Sequence, residues 1–210
     1  MGSPTHLSFG PLPNHTMAVR SRTHLAWLQL LMLHFHSISS LTGGVVETCD
    51  HAGLEAALAG GGQVTFGCGG VIVLTNTINI TTDTILDGTG GSVTISGNDR
   101  VRLFNVETNV SFTIIKLILT HGKDARPPGS DSRSARRGGG ILVDGGTLAA
   151  LDCEFSSNQA LGDNGLTIEL GGSAYGGAIY NHAGTLNLTN CGFFSNRAQG
   201  GQAINSPISA

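Results

Sequence analysis

Three aspartates, Asp83, Asp87 and Asp99, precede a basic group formed by Arg100, Arg102 and Lys116. Carboxylates of this kind can supply oxygen ligands to a hard cation such as calcium, which takes six to eight of them at about 2.3–2.6 Å. An arginine or lysine beside such an ion could act as a base. The spacing argues against assigning the chemistry. No compact acidic cluster occurs, and Asp83 and Asp87 fall at bends, where aspartate is favoured for its own turn geometry. No two carboxylates can be paired as the acid and base of a glycoside hydrolase. His51, His121 and His182 lack the spacing of a zinc site. No nucleophile elbow or phosphate-binding loop is present. The sequence therefore assigns no catalytic, cofactor or metal residue.

Composition narrows the class. The chain has 210 residues, 32 of them glycine, with 12% charged and 5% aromatic residues and a net charge of −3. The glycines lack the three-residue period of collagen. Charge is too low and too mixed to hold a chain unfolded by self-repulsion. There is no basic excess to neutralise a phosphate backbone, so nucleic acid is not an expected partner.

Residues 1–42 read as a leader. They contain five of the eight histidines, the only tryptophan and no acidic residue. Arg20 and Arg22 precede an apolar run from Leu25 to Leu33, then small and polar residues from Ser37 to Gly44. That is the layout of a secretory signal, with Met17 as a candidate start. The apolar run is shorter than the ~20 residues of a membrane span, so none is expected in the mature chain. Cleavage near Thr42 would leave 9 basic and 14 acidic residues, net −5. Export makes disulfides compatible with the four cysteines. Cys49 and Cys68, 19 residues apart, are the disulfide candidate.

An ungapped repeat organises the remainder. Residues 138–160 and 176–198 share eleven of 23 positions at an offset of 38. Within each copy, apolar residues come in pairs two apart: Leu148/Ala150 and Cys153/Phe155, then Leu186/Leu188 and Cys191/Phe193. Phe112/Ile114 and Leu117/Leu119 repeat the pattern 36 residues upstream of Leu148. Period two means strand, with those side chains on one face. The extra residue between pairs marks a bend. Such short strands require stacking on copies of themselves, the logic of a solenoid. Ile78/Ile80 and Val93/Ile95 alternate in the same way.

Gly176-Gly177-Ala178-Ile179 and Phe193-Phe194-Ser195-Asn196 resemble the GGAI and FxxN motifs of chlamydial polymorphic outer-membrane protein repeats. Gly138–Ile141 and Phe155–Asn158 match with one substitution. The third unit departs: it has no GG start, and Gly122 stands where the motif has asparagine. Residues 49–122 resemble the N-terminal part of secreted bacterial proteins with a pectin-lyase-like fold. The resemblance implies an all-β, right-handed parallel β-helix solenoid. It also implies secretion or cell-surface display, at an outer membrane if the source is bacterial, and an adhesive role without catalysis. A cell-surface glycan or other polysaccharide would be the partner. The alternatives are a polysaccharide-degrading enzyme (a calcium-assisted uronate lyase using the Asp83, Asp87 and Asp99 group, or a glycoside hydrolase) and a fragment of a longer surface protein.

The expected organisation is a leader at 1–42, a cap with a short helix at 43–69 and repeats at 70–210. Asp50 is the expected helix N-cap, with Leu54, Ala57 and Leu58 on one face. Loops are expected to leave the repeats at 123–137, a basic and proline-containing segment, and at 161–175. Equivalent residues of stacked strands should lie about 4.8 Å apart. Cys153 over Cys191 is read as a buried thiol ladder, Phe155 over Phe193 as an aromatic stack in the core, and Asn158 over Asn196 as an amide ladder. Asp144 over His182 is read as a surface pair or, the favoured reading, as two solvated loop residues. Asn79, Asn109 and Asn187 begin glycosylation sequons, for which chance matches are expected.

Overall fold

The computed structural model describes residues 43–124, 135–165 and 170–203. Residues 1–42, expected to be a leader, lie outside them. The described chain is mostly β, with one helix, α1 (His51–Leu58), and strands β1 to β19. All strand pairs are parallel.

Three sheets account for most strands. The first runs β1 (Val45–Val46), β2 (Gly62–Phe66), β5 (Thr84–Asp87), β8 (Ser111–Ile115), β12 (Thr147–Leu151), β17 (Thr185–Thr189). The second runs β3 (Gly70–Val73), β6 (Val93–Ser96), β9 (Ile118–Thr120), β13 (Glu154–Ser156), β18 (Gly192–Phe194). The third runs β4 (Ile78–Ile80), β7 (Phe104–Val106), β11 (Ile141–Asp144), β16 (Ile179–His182). The chain visits the three sheets in turn and returns to the first one strand further along. Two small sheets pair β10 (Arg136–Arg137) with β15 (Ala174–Tyr175) and β14 (Gln159–Leu161) with β19 (Arg197–Gln199).

Register places like on like. Val64, Leu86, Ile114, Ala150 and Leu188 form one row of the first sheet. Ile72, Ile95, Leu119, Phe155 and Phe193 form a row of the second. Ile78, Phe104, Ile141 and Ile179 form a row of the third. All but the last members are buried and belong to one hydrophobic cluster. Each row removes large aliphatic or aromatic side chains from water, worth roughly 1.5–3 kcal/mol apiece.

At the N-terminal side, Asp50 caps α1 by accepting a 2.7 Å hydrogen bond from the Gly53 N–H. Leu54 and Leu58 are buried against β1 and β2. Cys49 and Cys68 form a disulfide with a Cα–Cα distance of 5.6 Å. A bridge over 19 residues contributes about 3 kcal/mol by restricting the unfolded chain. Helix and disulfide together hold this end closed.

The segment expected to leave the repeats at 123–137 is anchored at both ends. Lys123 bridges to Gln159, and Arg136–Arg137 is a paired strand. The buried Asp124 carboxylate receives Arg102 Nη2 at 3.0 Å and the Arg137 N–H at 2.7 Å. Residues 125–134 fall outside the described chain. Of the 161–175 segment, Leu161 ends β14, Ala174–Tyr175 forms β15, and 166–169 lie outside the description.

Candidate functional site

The corner between the first and second sheets is built from residues with left-handed backbone. Lys116, Asp152 and Asn190 have φ of 52°, 53° and 52°, and each follows the last residue of β8, β12 or β17. The ladder continues through them: the Lys116 N–H donates to the Leu151 carbonyl at 2.9 Å, and the Asp152 N–H to that of Thr189 at 3.0 Å. A single left-handed residue turns the chain sharply and then restores the inward alternation. It also projects its own side chain outward. Asn190 Nδ2 donates to Asp152 Oδ1 at 2.5 Å, fixing that carboxylate.

Beside this corner a groove of about 570 Å³ crosses the outside of the second sheet. Lys116, Asp152, Glu154 and Phe194 give it its chemistry. Phe194 is 57% exposed and its ring lies over Gly192, where an added Cβ would meet the ring at 2.7 Å. The groove thus offers one ammonium donor, two carboxylate acceptors and one aromatic face. That combination suits a ligand with many hydroxyls and apolar C–H faces: the polar groups orient it and the ring packs against it.

The expected cation and base residues do not converge on this groove. Asp83 Oδ1 accepts from the Ser111 N–H at 2.8 Å, and Asp87 Oδ1 from the Thr89 N–H at 2.9 Å. Asp99 sits at a different turn, with His121 Nδ1 at 3.1 Å and Gln159 Nε2 at 3.2 Å. Arg102 is committed to Asp124 and to the Gly138 carbonyl, at 2.8 Å from its Nε. Of the six residues only Lys116 lines the groove. Among the described residues no three His, Cys, Asp or Glu side chains are grouped to hold a metal.

The stacked residues are arranged as follows. Phe155 and Phe193 are register partners with ring centroids 4.9 Å apart and planes within 6°. Phe155 is fully buried but Phe193 is 44% exposed, so the stack lies half outside the core, because no described strand covers β18 on its far side. Cys153 is buried and Cys191 partly buried, both as free thiols. Burial pushes the Cys153 thiol up to about 11, and it donates to the Leu151 carbonyl at 3.2 Å. At neutral pH it is a protonated packing group rather than a nucleophile.

Asn158 and Asn196 each reach back to the preceding strand. Asn158 Nδ2 donates to the Leu119 carbonyl at 3.0 Å and Asn196 Nδ2 to that of Phe155 at 2.8 Å, two register-equivalent acceptors. Their Oδ1 atoms accept from the Gly122 N–H at 2.8 Å and the Asn158 N–H at 3.0 Å. The departure at Gly122 has a steric cause. A Cβ there would lie 2.5 Å from the Gly139 carbonyl oxygen and 2.8 Å from Asn158 Oδ1. Asn158 is buried, and its Nδ2 also donates to Asn196 Oδ1 at 3.0 Å, so the two amides are bonded to each other as well as to backbone.

Asp144 and His182 are both exposed and are paired, the alternative to the favoured reading of two solvated residues. They are partners in the third sheet, with Asp144 Oδ1 2.8 Å from His182 Nδ1. Register brings them together, since equivalent positions of adjacent parallel strands face the same way. The three sequon asparagines, Asn79, Asn109 and Asn187, are all exposed. The groove residues Asp152, Glu154 and Phe194 escaped sequence reasoning because they occupy the variable positions of the repeat. The available signal was a second phenylalanine directly after the one that keeps the repeat.

No protein-family model, curated protein or solved structure matches the chain.

Proposed function

We propose that this chain is a right-handed parallel β-helix protein of the secreted or cell-surface class, which binds an extended glycan without transforming it. The observation that carries this reading is the groove of Lys116, Asp152, Glu154 and Phe194 along the outside of the second sheet. The handedness follows from the strong preference of parallel crossovers for the right-handed path. Stacked parallel rows make a rigid support, and corner residues repeat along it at about 4.8 Å. A polymer lying across those corners would meet polar groups at a fixed interval. The likeness of the repeats to those of chlamydial surface proteins supports the same reading, as does the leader-like segment before Gly43.

The competing uronate-lyase reading needs carboxylates gathered around a cation and a base at the sugar ring. Asp83, Asp87 and Asp99 are spread over separate turns and bonded to neighbours, which weighs against it.

One experiment separates the two. The full chain is incubated with a panel of acidic and neutral polysaccharides, with and without calcium. Binding is followed by isothermal titration, and cleavage by the ultraviolet absorbance of unsaturated uronide ends. Saturable binding without absorbance change, weakened about tenfold by Phe194→Ala, is the expected result. A calcium-dependent rise in absorbance lost in Asp87→Ala would replace this reading with the lyase. Absence of binding to every polymer would remove the glycan.

A further inference from the structure

A second cavity, of about 410 Å³, lies where the anchored ends of the 123–137 segment meet the 161–175 segment. It shares no residue with the groove. Lys123, Asp124, Arg136, Asp163 and Asn164 supply its polar groups. Arg136 differs from an ordinary surface cation in being only 6% exposed. Its backbone is held in place: the Arg136 N–H donates to the Ser173 carbonyl at 2.8 Å, and Arg136 pairs with Ala174 between β10 and β15.

The guanidinium is only partly used. Nη2 meets Asp163 Oδ2 at 2.5 Å, while Nε and Nη1 are buried with no partner among the described residues. Nη2 belongs to both two-donor edges of the planar fork, with Nε on one and Nη1 on the other. Its single contact with Asp163 occupies one edge, so the other stays open. Such an edge matches the two coplanar oxygens of a carboxylate. A buried cationic donor left unpaired is costly, so its presence beside a cavity points to a group that satisfies it. The neighbours favour an anion. Asp124 is spent on Arg102 and on the Arg137 N–H. Asn164 Oδ1 accepts from the Gln202 N–H at 2.8 Å, and its Nδ2 has no partner among the described residues, nor has the Lys123 ammonium. Arg102, Lys123 and Arg136 stand against Asp124 and Asp163, an excess of one positive charge.

We propose that this cavity is a second binding site, which takes a ligand bearing a single carboxylate. The open edge of Arg136 receives the two oxygens, and Lys123 and Asn164 supply further donors. One excess positive charge suits a monoanion; a dianion would leave a negative charge uncompensated. Asp163 competes for the same guanidinium from the solvent side, its side chain being 40% exposed against 7% for Arg136. Sugar acids and simple organic acids share this chemistry.

The test is isothermal titration of the full chain with galacturonate, galactose, acetate and inorganic sulfate. Galacturonate and galactose differ only in the carboxylate. The expected result is saturable binding of galacturonate and none of galactose. Acetate binding as tightly as galacturonate also supports the site and identifies a simple organic acid as the ligand; weaker acetate identifies a sugar acid. Arg136→Lys keeps the charge but loses the fork, and should weaken binding about tenfold. Because Arg136 is buried, two substitutions nearer the solvent accompany it. Lys123→Gln should weaken binding about threefold, and Asp163→Asn should strengthen it by about the same factor through removal of the competitor. A merely structural ion pair would not yield tighter binding when it is broken. Galactose binding as well as galacturonate, sulfate binding more tightly than either carboxylate, or no binding of any probe would overturn the proposal. So would affinities unchanged in both Lys123→Gln and Asp163→Asn.

Discussion

Residues 138–160 and 176–198 have nearly half their positions in common, yet the same residue types live in different surroundings in the two copies. Phe155 stacks on one side with Phe193 and pairs in register with Leu119 on the other. Phe193 has only the Phe155 side. Leu148 is fully buried, while its partner Leu186 is only partly covered. Burial in this architecture is thus set by position in the stack as much as by residue type. A side chain is protected when a strand lies on each side of it.

The widest test of that difference is the phenylalanine pair. Phe155→Ala should cost about 3–5 kcal/mol, the usual range for an aromatic removed from a packed core. Phe193→Ala should cost about 1 kcal/mol, since much of its surface already meets water. Chemical denaturation of both variants gives the two numbers. Equal losses would mean that Phe193 is covered in the folded chain and would break the comparison.

The asparagines repeat the contrast with polar groups. Asn158 is buried and bonded to Leu119, Gly122 and Asn196. Asn158→Ala leaves the Gly122 N–H and the Leu119 carbonyl without those bonds and should cost about 2–3 kcal/mol. Asn196→Ala should cost about 1 kcal/mol, because Asn196 is itself only partly covered and water can enter the space it vacates. Denaturant midpoints of the two variants, compared at one protein concentration, decide it. A larger loss for Asn196 would overturn the idea that stack position sets the cost.

How much of this was legible in the sequence follows from periodicity. The rows through Leu148, Phe155 and Asn158 were readable because their partners recur at 36 or 38 residues, and register converts recurrence into contact. The α1 cap was readable from Asp50 and the spacing of Leu54 and Leu58. The same offset put Asp144 and His182 in one row, but whether they bond was not legible, because two exposed residues can share a row and still face water separately. The clasp of Arg102 on Asp124 has no period at all. It depends on where an insertion leaves and rejoins the sheets, which one sequence does not encode in any spacing. The groove was hidden for a related reason. Its side chains point away from the core, so packing does not constrain their types, and only the backbone places Lys116, Asp152 and Glu154 side by side.

The cysteine pair gives the smallest energetic difference and the clearest chemical one. Both thiols are free, both donate to backbone carbonyls, and they occupy equivalent positions beside the corner. Cys153 is buried, and burial raises its thiol from 9.0 to about 11 by penalising the thiolate. The fold therefore favours the protonated form. The stability tied to that preference is complete below the unfolded value near 9 and is lost as pH rises through about 11. Cys191 is only partly covered, so iodoacetamide at pH 8 should label the native chain there first, with Cys153 following on the timescale of opening. Mass spectrometry of peptides taken at successive times reads the order. Cys153→Ala should cost only about 1 kcal/mol and leave Cys191 labelling intact. Equal labelling rates at the two sites would show that the strands over Cys153 open as readily as the bare edge at Cys191, and that the inner copy of the repeat is no better protected than the outer one.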